Sequence, residues 1–221
     1  MLQTNCPKCK GVIESPFLNE LKSAKCDQCQ RIVTVGDVFV ATGGFTVHRE
    51  DLRKRISRYE RLLKEAEEER SIMASDDTVS SETNQSFDQF CLAIRELLVG
   101  ARSHFRLKMT CDLYVQISAD NHESKAKLID ISTEGASLEF EMFANLLRSK
   151  SSITLQITLP ESQEPISALA KVAWVRRMTR ESAGDHYRIG VKFVDLDEKA
   201  RTRIWSFITD GSVESPSFHS F

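Results

Sequence analysis

From Leu107 to Phe193, apolar residues recur at every second position in six runs, and this alternation constrains the chain more than any other feature. Successive side chains of a strand point to opposite faces, so period two with polar partners means one buried and one wet face. The first run is Leu107, Met109, Cys111, Leu113, Val115 and Ile117, followed by Ala126 and Leu128. Ala136, Leu138 and Phe140 come next, then Ile153, Leu155, Ile157 and Leu159. Ile166, Ala168, Ala170, Val172 and Trp174 precede a last run of Ile189, Val191 and Phe193. Such strands with short polar breaks predict a small antiparallel barrel or sandwich, so the class is α+β, mainly β. After Asp195-Leu196-Asp197 the pattern turns helical, with Ala200, Ile204, Phe207 and Ile208 on one face. Either aspartate can cap that helix. The serine-rich residues 211–221 are expected to fray.

Upstream, the texture changes three times. Residues 1–45 hold four of the six cysteines and short β-prone runs. Residues 46–73 read as a helix, because Leu52, Ile56, Tyr59, Leu63 and Ala66 recur at steps of four and three. That stripe suits either a short coiled coil, giving a homo-oligomer through residues 48–73, or packing on the cysteine module. Residues 74–86 are small, polar and aperiodic, which predicts a flexible linker and a domain boundary. Residues 87–210 are grouped as one helix plus the barrel. The helix places Phe87, Phe90, Cys91, Ile94, Leu97 and Leu98 on one face and ends near Gly100. Cys91 and Cys111 fall on apolar faces and are expected in cores.

Cys6-Pro7-Lys8-Cys9 and Cys26-Asp27-Gln28-Cys29 are separated by sixteen residues. Two such knuckles match a four-thiolate zinc site, in which each tight turn presents two sulfurs to one tetrahedral ion. The region resembles a zinc ribbon, and metal would supply much of the folding free energy of strands this short. A redox dithiol or simple buried cysteines are the alternatives. Four protein ligands leave no open coordination position, which argues against zinc catalysis.

The formal net charge is -2, so the chain as a whole has no drive toward nucleic acid or anionic membrane. Lys8, Lys10, Lys22, Lys25 and Arg31 make the cysteine module only mildly basic, and nucleic-acid binding is not the leading expectation. No apolar run reaches the length of a membrane span, and the N-terminus lacks a signal-peptide pattern. A cytoplasmic protein without disulfides is expected. No P-loop, nucleophile triad or open metal site appears, so an enzyme is not expected.

Arg102-Ser103-His104-Phe105-Arg106 places two arginines four apart just before the first barrel run. Alone this means little, since Arg49 with Arg53 and Arg176 with Arg180 share the spacing. Asp130-Ile131-Ser132-Thr133-Glu134-Gly135 joins two alternating runs and reads as a turn, with glycine for a left-handed conformation or a close backbone approach. Together, and in this order, the two elements resemble the signature of the PilZ family: Arg-x-x-x-Arg, then Asp/Asn-x-Ser-x-x-Gly. The run from Tyr187 to Phe193 is similar to that family's last strand, and the resemblance covers about residues 100 to 210.

The resemblance implies a six-stranded antiparallel barrel that binds cyclic di-GMP. Arg102 and Arg106 would clamp phosphate and guanine, Asp130 would accept from a guanine edge, Ser132 would add a hydroxyl contact, and Gly135 would leave room for the base. A planar guanidinium suits phosphate, guanine edges and stacking alike. The resulting expectation is a cyclic di-GMP effector relaying to a protein partner. A ligand-independent interaction module and a zinc-ribbon nucleic-acid regulator are the competing readings.

Overall fold

The computed structural model describes residues 1–73, 80–119, 122–140, 151–160, 162, 164–180 and 183–214. The chain divides into two compact units, Met1–Phe105 and Arg106–Phe221.

The first unit opens with two matching hairpins. β1 (Leu2–Asn5) pairs with β2 (Val12–Glu14), and β3 (Ser23–Lys25) pairs with β4 (Ile32–Thr34). β5 (Phe39–Thr42) pairs with β1 and with β6 (Phe45–His48), giving the sheet order β2-β1-β5-β6. The β5–β6 turn is Gly43-Gly44, with φ of 53° and 85°. Two consecutive positive φ values suit a two-residue hairpin turn and explain the glycine pair.

α1 (Arg49–Lys54) and α2 (Ile56–Met73) divide the expected helix at Arg55, where φ is -113° and ψ is 14°. The apolar stripe is used within the chain. Leu52 is buried in a cluster with Leu2, Ile13, Leu18, Val40 and Leu97, against which Ile56 and Tyr59 pack. Ala66 is buried farther along α2. α3 (Ser81–Gly100) lies against α2 through Arg70 to Asp88 at 2.6 Å and Arg95 to Glu67 at 2.8 Å. The start of the stripe thus packs on the chain's own module.

Three expectations for this region change. Residues 81–86 are the first turns of α3 rather than linker, because Ser80 Oγ accepts from the Thr83 N–H at 3.2 Å and starts the helix. Residues 74–79 lie outside the described residues. α3 belongs to the first unit, since it packs on α2 and β5, whereas the sequence grouped it with the barrel. Phe90 is 46% exposed while Cys91, Ile94 and Leu97 are buried, so the buried face is narrower than the apolar pattern.

The second unit is a closed barrel. Its strands are β7 (Leu107–Lys108), β8 (Tyr114–Ala119), β9 (His122–Ser132), β10 (Gly135–Phe140), β11 (Ser152–Ile157), β12 (Ile166–Arg180) and β13 (Ala183–Asp195). The ring runs β10-β13-β12-β11-β8-β9 and closes by β9–β10 pairing, all antiparallel; β7 adds to β9. The alternating residues fill it: Leu128, Leu138, Ile153, Leu155, Ile157, Ile166 and Ile189 are fully buried. α4 (Glu198–Glu214) contributes the buried Ile204 and Ile208. Asp197 is its cap, accepting from the Ala200 N–H at 2.6 Å. The helix continues four residues past the expected fray point at Asp210; residues 215–221 lie outside the described residues. No described helix is long and apolar enough to cross a membrane.

The first alternating run is not one strand. Lys108 pairs with Asp130 on β9, and Tyr114 pairs with Lys127. Five residues on one side therefore face two on the other, and the excess must leave the ladder. Cys111 lies in that excursion and is exposed, so the core position expected for it is corrected. Cys91 is buried as expected.

Candidate functional site

The two knuckles are built alike. Cys6 N–H donates to Gly11 O at 2.8 Å and Lys10 N–H to Cys6 O at 2.9 Å; Cys26 N–H donates to Arg31 O at 2.9 Å and Gln30 N–H to Cys26 O at 2.8 Å. Lys10 and Gln30 hold matching left-handed conformations, with φ of 65° and 57°. The four Sγ atoms all lie within 4.8 Å of one another. Cys6 and Cys29 approach to 3.8 Å, and Cys9 and Cys26 to 3.6 Å. A tetrahedron of sulfurs about 2.3 Å from a zinc has edges of about 3.8 Å, so the cluster fits the ion. The Cys9 N–H, against the opposing effect of burial, and then the Lys8 N–H draw the Cys6 thiol down to about 6. The Gly11 N–H lowers Cys9, but burial and the neighbouring thiols together push it up to about 11. Crowded thiols that give up one proton readily and retain another are what a cation would bring to a common deprotonated state. Cys6 and Cys26 are buried, and the cluster is the structural centre of its module.

On the barrel, the 130–135 turn is shaped by a bulge. Ser137 pairs with Asp130 but Leu138 pairs with Leu128, so Ile129 is the extra residue in β9. Leu128 and Ile131 can then both point inward, three apart, while Asp130 faces out beside Ser137. Ser132 is buried; its Oγ donates to Gly135 O at 3.1 Å and accepts from the Glu134 N–H at 3.4 Å. A Cβ on residue 135 would stand 2.1 Å from the Val191 carbonyl oxygen, so the glycine permits the close approach of β13. Glu134 O accepts from the Phe193 N–H at 2.9 Å. Arg201 of α4 reaches Thr133 O at 3.3 Å and Glu134 Oε1 at 2.8 Å. Ser132 and Gly135 thus have defined parts in forming the turn.

Asp130 is 13% exposed in its side chain and lies between two arginines: Arg106 Nη1 at 3.3 Å and Arg188 Nη2 at 3.5 Å. Arg188 Nε also donates to Ser137 Oγ at 2.9 Å. Two guanidiniums around one carboxylate leave a net positive charge, with each arginine about one third exposed. Each guanidinium carries five N–H donors and is partly exposed, so both keep donors for an incoming anion while still facing Asp130. Asp130, Ser137, Gly190 and Trp174 form one cross-strand row over β9, β10, β13 and β12. Trp174 is 40% exposed, and a Cβ on residue 190 would meet its indole at 2.2 Å. The ring therefore lies across Gly190 on the outer face, close to the arginines' row.

Of the residues picked from sequence, Arg106, Asp130, Ser132 and Gly135 meet in the second unit. Arg102 is exposed and belongs to the first unit, so the two arginines of the motif stand on either side of the unit boundary in the chain. Arg188, Ser137 and Arg201 were not picked out. Arg188 falls on the polar phase of its strand, where a wet exterior is the default reading. The usable signal was Gly190, since a strand glycine marks close approach.

A PilZ domain family model matches residues 101–210. Among solved structures, MrkH of K. pneumonia in its apo state is 21% identical, covering 50% of this chain and 50% of its own, with a TM-score of 0.44. MotI/DgrA, an inhibitor of motility from Bacillus subtilis, is 18% identical over 52% of this chain and 53% of its own, with a TM-score of 0.43. The PilZ domain of YcgR from Escherichia coli, solved with c-di-GMP, is 15% identical over 51% of this chain and 92% of its own, with a TM-score of 0.42. The chain spans about half the length of MrkH and of MotI/DgrA. No curated protein matches the chain.

Proposed function

Residues 101–210 of this chain are a PilZ domain, and from that premise we propose that the protein is a cyclic di-GMP effector whose cysteine module holds a structural zinc. The observation that carries the reading is the pair Arg106 and Arg188 around Asp130 on the outer face of the barrel. Cyclic di-GMP offers two phosphates and two guanines. Arg106 and Arg102 supply forks for phosphate oxygens and guanine edges, and Asp130 accepts from guanine N–H groups. Arg188 adds a third fork, and Trp174 adds an aromatic face on which a base can stack. Ser132 and Gly135 serve by holding the turn that presents Asp130.

The output follows from where the arginines lie. A ligand that engages Arg102 and Arg106 favours one arrangement of the segment between them, and it shifts the equilibrium by its differential affinity for the two arrangements. The change passes to α3 or to a protein partner in the cytoplasm. Cys6, Cys9, Cys26 and Cys29 close the zinc shell, so the metal supplies folding rather than chemistry, and the protein is read as a receptor rather than an enzyme.

Calorimetric titration of the full chain with cyclic di-GMP tests the reading. Binding by wild type, with Arg106→Ala weaker by about 2 kcal/mol or roughly thirtyfold, is expected for a lost charge-assisted contact. Absence of heat with wild type, or equal binding by an Arg102→Ala/Arg106→Ala double variant, sinks it. Metal analysis should return one zinc per chain.

A further inference from the structure

Between the two cysteine hairpins, residues 15–21 form a tight loop seated on the buried Leu18, with Glu20 and Leu21 N–H groups both donating to Phe17 O. This loop and α1 grip the end of the first unit, where Arg102 lies. Asn19 Nδ2 donates to Arg102 O at 3.0 Å, and Arg49 Nη2 donates to the same oxygen at 2.9 Å. Glu20 Oε1 accepts from the Phe105 N–H at 2.8 Å, while its Oε2 lies 3.1 Å from His104 Nδ1. The Phe17 ring meets Phe105 edge-on at 4.9 Å. The 102–105 segment is therefore held at Arg102, His104 and Phe105 by groups from elsewhere in the sequence.

The grip is maintained at the expense of other polar groups. Arg49 is only 10% exposed in its side chain, and among the described residues its Nε has no hydrogen-bond partner; Asn19 Oδ1 is likewise buried without one. Leaving buried polar atoms unsatisfied is destabilising, so a stability-optimised surface would not put an arginine and an asparagine here. Both instead converge on one carbonyl, that of Arg102.

We infer that Asn19, Glu20 and Arg49 are positioning residues for Arg102, through which the cysteine module sets the affinity of the cyclic di-GMP site. The inference rests on the ligand reading above. A backbone fixed before binding has less freedom to lose when Arg102 engages a ligand. By linkage, bound ligand strengthens the grip by the same factor.

The test compares wild type, Glu20→Ala, Glu20→Gln and Asn19→Ala as full chains. It reads cyclic di-GMP affinity by calorimetry, zinc content, and amide exchange at Phe105. Glu20→Ala should bind about tenfold more weakly, as for one charged hydrogen bond partly realised. Zinc content should be unchanged and Phe105 exchange faster. Glu20→Gln keeps an acceptor for the Phe105 N–H and should recover most of the affinity, while Asn19→Ala should fall between. Unchanged affinity in Glu20→Ala and Asn19→Ala overturns the inference, as does a loss of affinity that appears only when zinc is lost too. If wild type itself binds no cyclic di-GMP, the functional reading fails first. Phe105 exchange then decides the grip alone: faster in Glu20→Ala supports it, and unchanged refutes it.

Discussion

The cysteine module buries Leu2, Ile13, Leu18, Val33 and Val40 around two sulfurs, whereas the barrel buries Leu128, Ile131, Leu138, Ile153, Leu155, Ile157, Ile166 and Ile189 inside six paired strands. Each large aliphatic side chain taken from water contributes about 1.5–3 kcal/mol, so the barrel spreads its stability over many sites. The module's strands are three or four residues long and cannot do this. Its two hairpins are joined instead at Cys6, Cys9, Cys26 and Cys29. One region is robust to most single changes, and the other depends on four atoms.

Metal removal should separate them most. Apparent zinc binding in small modules is worth about 10–16 kcal/mol near neutral pH. Chelation, or Cys26→Ser, should therefore abolish amide protection in β1–β4 while leaving protection in β10–β13. Loss of both together would make the two units one cooperative body. The converse change is Leu138→Ala, which opens a cavity in the barrel and should destabilise it by about 2–5 kcal/mol. Denaturant melts should show that loss without a change in zinc content.

A smaller effect should follow Asp197→Ala, which removes the cap of α4. About 1 kcal/mol is expected, read as a lower barrel melting temperature with ligand affinity retained. The least effect belongs to the Arg70–Asp88 pair in the first unit. The Arg70 side chain, by hydrogen bonding and charge, holds the Asp88 carboxyl below its ordinary range. A depressed folded value means that its stabilisation is present above the unfolded carboxylate range, near 4, and is lost as pH falls through the folded value. Arg70→Ala should raise the Asp88 titration midpoint by NMR, with little change elsewhere.

Local patterns were legible. The stripe Leu52, Ile56, Tyr59 and Ala66 is the face that α1 and α2 bury or half-bury, because helical period and burial coincide. The cysteine spacing was legible because each knuckle is a short local turn. The barrel runs were legible except where register intervened. Met109, Cys111 and Leu113 keep period two, yet only Met109 and Leu113 still bond to β9, through Ile129 O and the Leu128 N–H, while Cys111 between them leaves the ladder because β9 offers too few partners. Phe90 sits on the apolar stripe of α3, but it stays 46% exposed, with the Phe87 ring 6.3 Å away. The partners of Asp130 were the least legible: Arg188 is far along the chain, and only strand pairing places it there.

By itself, the sequence determined most of the element types, the four-cysteine spacing and the Arg-x-x-x-Arg and Asp-x-Ser-x-x-Gly pieces, because each depends on residues a few positions apart. Only the tertiary structure decided that Ile129 is bulged so that Asp130 faces out, that Arg188 joins Arg106 around it, and that Asn19, Glu20 and Arg49 hold the Arg102 segment. Those are matters of register and of contacts between distant residues, and a one-dimensional pattern carries no register.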